Sequence, residues 1–334
     1  REGAVPAAGT TMYRWASVSK PITAILALQL SHEGLLDLDA DVRTYVPEFP
    51  EKPHTITARQ LLCHQGGIVH YENGPVIRTQ RTYIQDHPFE SAILALYTFK
   101  DSPLVAEPGA TYSYSTHGYM LLGAVVERAG KAPFPRLVRD RIIEPLRMTT
   151  LQPDYQWVRI PGRTKGYARR REDAAKPPSA PGTPAAPAQP SPATPSTDTD
   201  VSWKLPGGGF ISTVDDMARL GIGLLGDRLL DPQTRAEAWK RQNTRDGKVT
   251  GYGYGFGVDD RNGRLVVSHS GSQEKTATFL LILPREQTGG VVVAVMCNTE
   301  GARLGPLAED LARMLIRSRA HDQLDVGEPD RADD

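Results

Sequence analysis

Ala16-Ser17-Val18-Ser19-Lys20-Pro21, followed at once by the apolar run Ile22 to Leu30, is the stretch whose reading decides the fold. It sets a serine and a lysine three residues apart at the mouth of a helix, a spacing that puts both side chains on one helical face. A serine hydroxyl is a weak nucleophile near neutrality and needs a base beside it. A lysine in apolar surroundings gives up its proton more readily, because desolvation disfavours the ammonium. Ser17 and Lys20 therefore read as a nucleophile and its base or, more plainly, as a helix cap and a lysine snorkelling to water. The helix is expected to run from about Ser17 to His32. Pro21 falls in its first turn, where a missing N–H costs little, and Gly34 ends it. Apolar residues surround it on most sides, as in a buried core helix.

Outward from this helix, the chain is 334 residues long and suits one large domain or two closely packed subdomains. Its 39 basic and 39 acidic residues cancel, which argues against a nucleic-acid surface. No apolar run approaches the ~18 residues of a membrane span. Cys63 and Cys297 are too few and too far apart for a disulfide scaffold or a zinc quartet, and read as two buried thiols.

Helices are expected at Thr57 to His64, with Thr57 as N-cap, at about Phe89 to Thr98, at Gly118 to Ala129 and at Pro135 to Ile143, stopping before Pro145. Residues 176–197 hold eight prolines among Ala, Ser, Thr and Gln and read as an exposed insertion. From about 207 the style changes. Gly207-Gly208-Gly209 leads to a helix capped by Ser212 or Thr213. Strands follow at Tyr252 to Val258 and Arg264 to His269, flanking an Asn262-Gly263 hairpin, then at Thr276 to Leu283 and Gly290 to Cys297. A helix from about Leu304 to Arg317 closes the set. Helices in the middle and antiparallel strands at the end make an α+β layout.

Two further stretches would have to meet Ser17 in an acyl-transfer enzyme. Tyr112-Ser113-Tyr114 offers a phenol that relays protons if a nearby ammonium lowers its pKa, with Tyr112 and Tyr114 both candidates. Ser268-His269-Ser270-Gly271-Ser272 offers a backbone N–H for an oxyanion and an imidazole for a substrate anion.

Taken together, Ser17-Val18-Ser19-Lys20, Tyr114-Ser115-Thr116 and His269-Ser270-Gly271 resemble, in order and spacing, the three motifs of the serine β-lactamase and penicillin-binding-protein superfamily. The resemblance is to its class C-like branch of β-lactamases, DD-peptidases, esterases and mitochondrial β-lactamase-like proteases. Trp15 through Pro21, Leu61 through Ile68, Tyr114 through Gly123 and Gly208 through Thr213 match phrases of the same branch, and the likeness spans roughly residues 10–318.

The resemblance implies one catalytic domain over 1–334: an antiparallel sheet flanked by helices (about 207–318) and a mostly helical subdomain (about 35–206) carrying the Pro/Ala-rich insertion at about 172–200. It implies an acyl-enzyme on Ser17, with Lys20 and Tyr114 sharing the proton as one coupled unit. Ser17 and Ser272 would supply the oxyanion N–H groups, while His269, Gly271 and Thr116 would bind substrate. It calls for no cofactor and no metal.

Thr116 stands where the family usually has asparagine, and His269 where β-lactamases have lysine, so a peptide or ester is expected as substrate. β-Lactam hydrolysis and a non-catalytic, assembly-forming role are the alternatives. The resemblance also implies a helix and two strands ahead of the Ser-x-x-Lys helix, where the chain has sixteen residues. These elements are expected to have been removed or to come from a separate segment or second chain, and self-association is open. A periplasmic or secreted setting is implied by the family.

Overall fold

The computed structural model describes residues 5–71, 73–77, 89, 91–168, 193–261, 263–284 and 290–325. Its strands are β1 (Tyr13–Arg14), β2 (Gln152–Pro153), β3 (Tyr167–Ala168), β4 (Thr194–Pro195), β5 (Phe210–Ser212), β6 (Gly257–Asp260), β7 (Leu265–Gln273), β8 (Thr276–Leu283) and β9 (Val291–Cys297). Its α-helices are α1 (Ser19–His32), α2 (Ala58–Leu62), α3 (Ala92–Ala95), α4 (Thr116–Ala129), α5 (Phe134–Val138), α6 (Glu144–Leu146), α7 (Leu205–Gly208), α8 (Val214–Leu225), α9 (Pro232–Ala238) and α10 (Gly305–Asp325).

The helix read first is the centre of the molecule. From Ser19 through Leu28, and again at Leu30, every residue of α1 is buried. Each fully buried Ile or Leu there contributes about 1.5–3 kcal/mol of transfer free energy. It packs against α4 and α7, and helices and strands share one apolar core with it.

The antiparallel sheet runs in the order β6-β7-β8-β9. Successive side chains of a strand point to opposite faces, so each face has its own cover. Leu281, Val291 and Val293 pack with Ala308 and Ala312 of α10. Leu280 and Val292 face α8, where a side chain at Gly221 would meet them at 2.5–3.2 Å. This is the α+β arrangement that the resemblance implies. Asn262 of the expected hairpin turn lies outside the described residues, as do residues 172–192 of the Pro/Ala-rich insertion.

Several boundaries move for identifiable reasons. The N-cap expected at Thr57 forms, as a capping box in which Gln60 reciprocates, but α2 lasts only to Leu62. The expected stop before Pro145 does not occur. A π-helical turn over Arg139–Ile143 bridges α5 to α6, and Pro145 sits in the first turn of α6, where its missing N–H costs little. The strand expected from Tyr252 begins only at Gly257. Gly255 has φ +85° and lies where a Cβ would come within 2.4 Å of Ala24, so the chain bends to touch α1 instead of extending. Residues 13–14 form β1. Tyr13 pairs with Ser212 and Arg14 with Ile211, and β2 flanks β5 on the other side. This small sheet ties the segment before Ser17 to the Gly-rich stretch.

Candidate active site

Ser17 sits in a 3-10 turn, Ala16–Val18, that delivers the chain into α1. Ala16 adopts φ +49°, a left-handed conformation that costs a non-glycine residue about 1–2 kcal/mol. The surroundings hold it there. Thr278 Oγ1 donates to the Trp15 carbonyl at 2.8 Å, and Thr276 Oγ1 to that of Arg14 at 3.0 Å. β7 crosses the same turn at Gly271. A side chain at Gly271 would meet Thr278 Oγ1 at 2.2 Å, the Trp15 carbonyl oxygen at 2.5 Å and Ala16 Cβ at 3.0 Å. Only glycine lets the strand approach this closely, which sets the exposed Ser272 beside the turn that carries Ser17.

Lys20 is fully buried. Its Nζ lies 3.1 Å from Ser17 Oγ, 3.2 Å from Thr116 Oγ1 and 2.8 Å from the Gly207 carbonyl oxygen. Three acceptors saturate an ammonium and orient an amine. Burial is the main cause that holds the Lys20 pKa well below its ordinary value, and the like charge of Lys204 adds to it.

Of the two candidate tyrosines, Tyr114 is hydrogen-bonded to Ser17, while Tyr112 is turned outward and 41% exposed. Lys20 Nζ stands over the Tyr114 ring, 4.8 Å from its centroid, and not beside the phenolic oxygen. The expected lowering of the phenol pKa is reversed. Burial pushes Tyr114 above its usual range, and the Ser17 hydrogen bond offsets only part of that.

His269 is buried and both ring nitrogens are occupied. Nδ1 faces the Ser270 carbonyl at 2.7 Å and so carries the proton. Nε2, 2.8 Å from Tyr252 Oη, accepts from that phenol. Burial first and Lys20 second bring its pKa down to about 3, so the ring is neutral. Thr116 is also used within the protein. Its hydroxyl serves Lys20 and Tyr71, and its N–H donates to His70 Nδ1 at 3.2 Å. The structure thus gathers Ser17, Lys20, Tyr114, Thr116, Gly271 and Ser272 in one place. It sets His269 behind them, with no ring nitrogen free for a ligand.

Several neighbours lie outside the three catalytic motifs. His64, at φ +58°, lies among Tyr114, Tyr119 and Tyr252, with ring centroids at 4.2, 5.0 and 4.7 Å. It accepts from the Ser115 N–H at Nδ1, and burial, Lys20 and the neighbouring histidines keep it neutral. Tyr71 and Lys204 arrive from loops whose sequences carry no signal of the site. Among the described residues, no cluster of His, Cys, Asp and Glu is arranged to hold a metal. None of the described helices is long and apolar enough to cross a membrane.

Comparison with known proteins agrees with this geometry. The human mitochondrial serine β-lactamase-like protein LACTB is 26% identical, over 96% of this chain and 73% of its own length. The octameric penicillin-binding protein homologue from Pyrococcus abyssi superposes with a TM-score of 0.73 at 21% identity, covering 94% of this chain and 68% of that one. EstCE1, a hydrolase with promiscuous acyltransferase activity, gives 0.69 at 21% identity, covering 90% and 83%. A sequence model of the Beta-lactamase family matches residues 1–315. A buried lysine against a serine at a helix mouth, a tyrosine bonded to that serine and a glycine-bearing strand across the same turn are set in a chain that belongs to the Beta-lactamase family.

Proposed function

We propose that the chain is a single-domain serine hydrolase working through an acyl-enzyme on Ser17, with a peptide or an ester as substrate. The observation that carries this reading is Lys20, fully buried and held by three oxygens 2.8–3.2 Å away, one of them Ser17 Oγ.

Neutral Lys20 takes the proton as Ser17 Oγ attacks the carbonyl carbon, a role that general bases fill with about 10²–10⁴-fold effect. The N–H groups of Ser17 and Ser272 receive the oxyanion. A single such donor is typically worth about 10²–10³ in rate. Tyr114, kept protonated by burial, passes its proton to the departing nitrogen or oxygen, and the phenolate this leaves shares the proton held on the neighbouring Lys20 ammonium as one coupled pair. Water then attacks the acyl-enzyme with the same groups in reverse. The opposite pKa directions of a buried lysine and a buried tyrosine suit these two roles. His269, closed between Tyr252 and its own strand, fixes the Gly271–Ser272 end of β7 and does not grip substrate.

Thr116 and His269 are spent on internal hydrogen bonds, which disfavours a β-lactamase dependent on side-chain grips at those positions. The acyltransferase activity of EstCE1 fits an acyl-enzyme in this fold. The mitochondrial relative widens the compartments open to such a chain beyond a periplasmic or secreted one. β9 stands at the edge of its sheet among the described residues, and an unpaired edge can accept a second chain. With an octameric relative, self-association joins the proposal.

Labelling by a fluorescent fluorophosphonate, together with turnover of p-nitrophenyl esters, D-Ala-D-Ala peptides and nitrocefin, tests the reading. Labelling is expected in the wild type and lost in Ser17→Ala. Equal labelling of the two, or none in well-folded wild type, overturns it.

A further inference from the structure

The loop after α2 brings two histidines that the proposed chemistry leaves unused, and both hold the stretch that carries Tyr114. His64 takes it on either side of the tyrosine. Its carbonyl oxygen accepts the Ser113 N–H at 2.8 Å, and its Nδ1 accepts the Ser115 N–H at 3.1 Å. Between these anchors its ring lies against that of Tyr114, with centroids 4.2 Å apart. The left-handed backbone of His64, at φ +58°, costs about 1–2 kcal/mol. It persists because two hydrogen bonds and a ring contact to one segment over-determine it. His70 takes the next donor, the Thr116 N–H, on its Nδ1 at 3.2 Å. The residues so held touch both reacting groups. Tyr114 is hydrogen-bonded to Ser17, and Thr116 Oγ1 lies 3.2 Å from Lys20 Nζ.

Ser115 caps α4 and Thr116 opens it, so their N–H groups are among those a helix leaves without an intrahelical partner. Carboxylates commonly serve such donors, because they also favour the helix dipole. α8 has Asp215 and Asp216 in its first turn, and Asp231 caps α9. The first turn of α4 has no acid. A carboxylate there would stand near Lys20 and favour its ammonium. A neutral imidazole accepts the same N–H and adds no charge, provided that its own proton sits on Nε2. The surroundings keep both rings in that form. Tyr112, Tyr114, Tyr119 and Tyr252 meet His64, and Tyr71, Tyr114 and His117 meet His70. Burial first and Lys20 second lower the pKa of both, that of His70 to about 4 with Lys204 adding to it. Among the described residues, the carboxylates that pair with histidine go to His32 and His54 and not to these two.

We infer that His64 and His70 are positioning residues for the Ser17 chemistry, acceptors that hold Tyr114 and Thr116 in place without setting a negative charge beside Lys20. For catalysis, this rests on the acyl-enzyme reading of Ser17. For the caps themselves, it does not.

His70 is the less buried of the two, and fluorophosphonate acylation rates of its variants across pH separate holding from charge. His70→Phe keeps a ring against Tyr71 and removes the acceptor. Its acylation is expected to slow about tenfold or more, as it does when catalytic groups are displaced. His70→Asn puts Oδ1 near the place of Nδ1 and should recover most of the rate, with the acidic limb of the profile where wild type has it. His70→Asp also restores an acceptor, but its charge favours the Lys20 ammonium, so its limb should lie at higher pH. An Asn variant no faster than the Phe variant, or an Asp limb that coincides with the Asn limb, overturns the inference. Nitrogen NMR of wild type labelled in its histidine rings reads the tautomers directly. His64 and His70, identified by the signals lost in His64→Asn and His70→Asn, are expected to show a bare Nδ1 and a protonated Nε2 near neutrality. A proton on either Nδ1 overturns the inference. The expected tautomers without any Ser17-dependent labelling leave the caps standing and sink the acyl-enzyme reading instead.

Discussion

Two lysines lie buried within one site, and their surroundings could hardly differ more. Lys20 is fully buried and Lys204 8% exposed. Lys20 is met by a serine hydroxyl, a threonine hydroxyl and a backbone carbonyl. Lys204 is met by two aromatic rings and no oxygen among the described residues. Adjacent glycines divide the two regions. A side chain at Gly207 would strike Thr116 Cγ2 at 2.8 Å, on the Lys20 side, whereas one at Gly208 would fill the space by Lys204 at ordinary contact distance. Burial alone thus does not assign a lysine its role; the acceptors do. Acceptors built into the fold fix an amine in place to move a proton. Where they are absent, the ammonium is left to the two rings and to solvent.

The sharpest break of this comparison is Lys20→Met, which keeps the volume of the stem and removes the base. Acylation by a fluorophosphonate or an activated ester is expected to slow by about 10²–10⁴, the usual worth of general-base catalysis. Stability should hold or rise, because a methionine in this pocket escapes the cost of a buried amine. A fall of less than tenfold in a folded protein would remove Lys20 from the base role.

The glycine pair gives a smaller and more discriminating effect. Gly207→Ala overpacks against Thr116 and is expected to cost about 1–3 kcal/mol of stability, with slowed acylation because Thr116 is one of the Lys20 oxygens. Gly208→Ala meets only ordinary contacts and should melt near the wild-type temperature and acylate at close to the wild-type rate. Thermal melts and fluorophosphonate acylation rates read both. If the two variants behave alike, the division of the site between the lysines fails.

How much of this was written in the sequence depends on how local the cause is. Ser17-Val18-Ser19-Lys20 and the apolar run behind it state the central helix openly, since three-residue spacing and all-round apolarity are local properties. Gly271 is legible as part of a motif, but its reason, the closeness of Trp15 and Ala16, is tertiary. Lys204 follows a proline-rich stretch and precedes Pro206, with nothing in its neighbours to announce a site. β1, β2 and β5 are two or three residues long, too short for a period-2 pattern to show. The same limit explains His269, read as a substrate contact. Its partner Tyr252 lies in a segment that bends where a strand was expected.

The smallest effect tests whether the two regions sense one another. Lys204 lowers the Lys20 pKa through like charge, second only to burial. Lys204 is itself lowered, mainly by burial, while the Glu274 carboxylate works the other way. If neutral Lys20 is the base, kcat/KM on a neutral ester rises with pH as Lys20 loses its proton. Taking away the neighbouring charge makes the Lys20 ammonium easier to keep. In Lys204→Met the acidic limb of the pH–rate profile should therefore move to higher pH, whatever becomes of the absolute rate. Lys204→Arg keeps the charge and should leave the limb close to its wild-type position. A limb that moves to lower pH, or moves equally in both variants, would mean that the two lysines share a wall of the site without sharing its electrostatics.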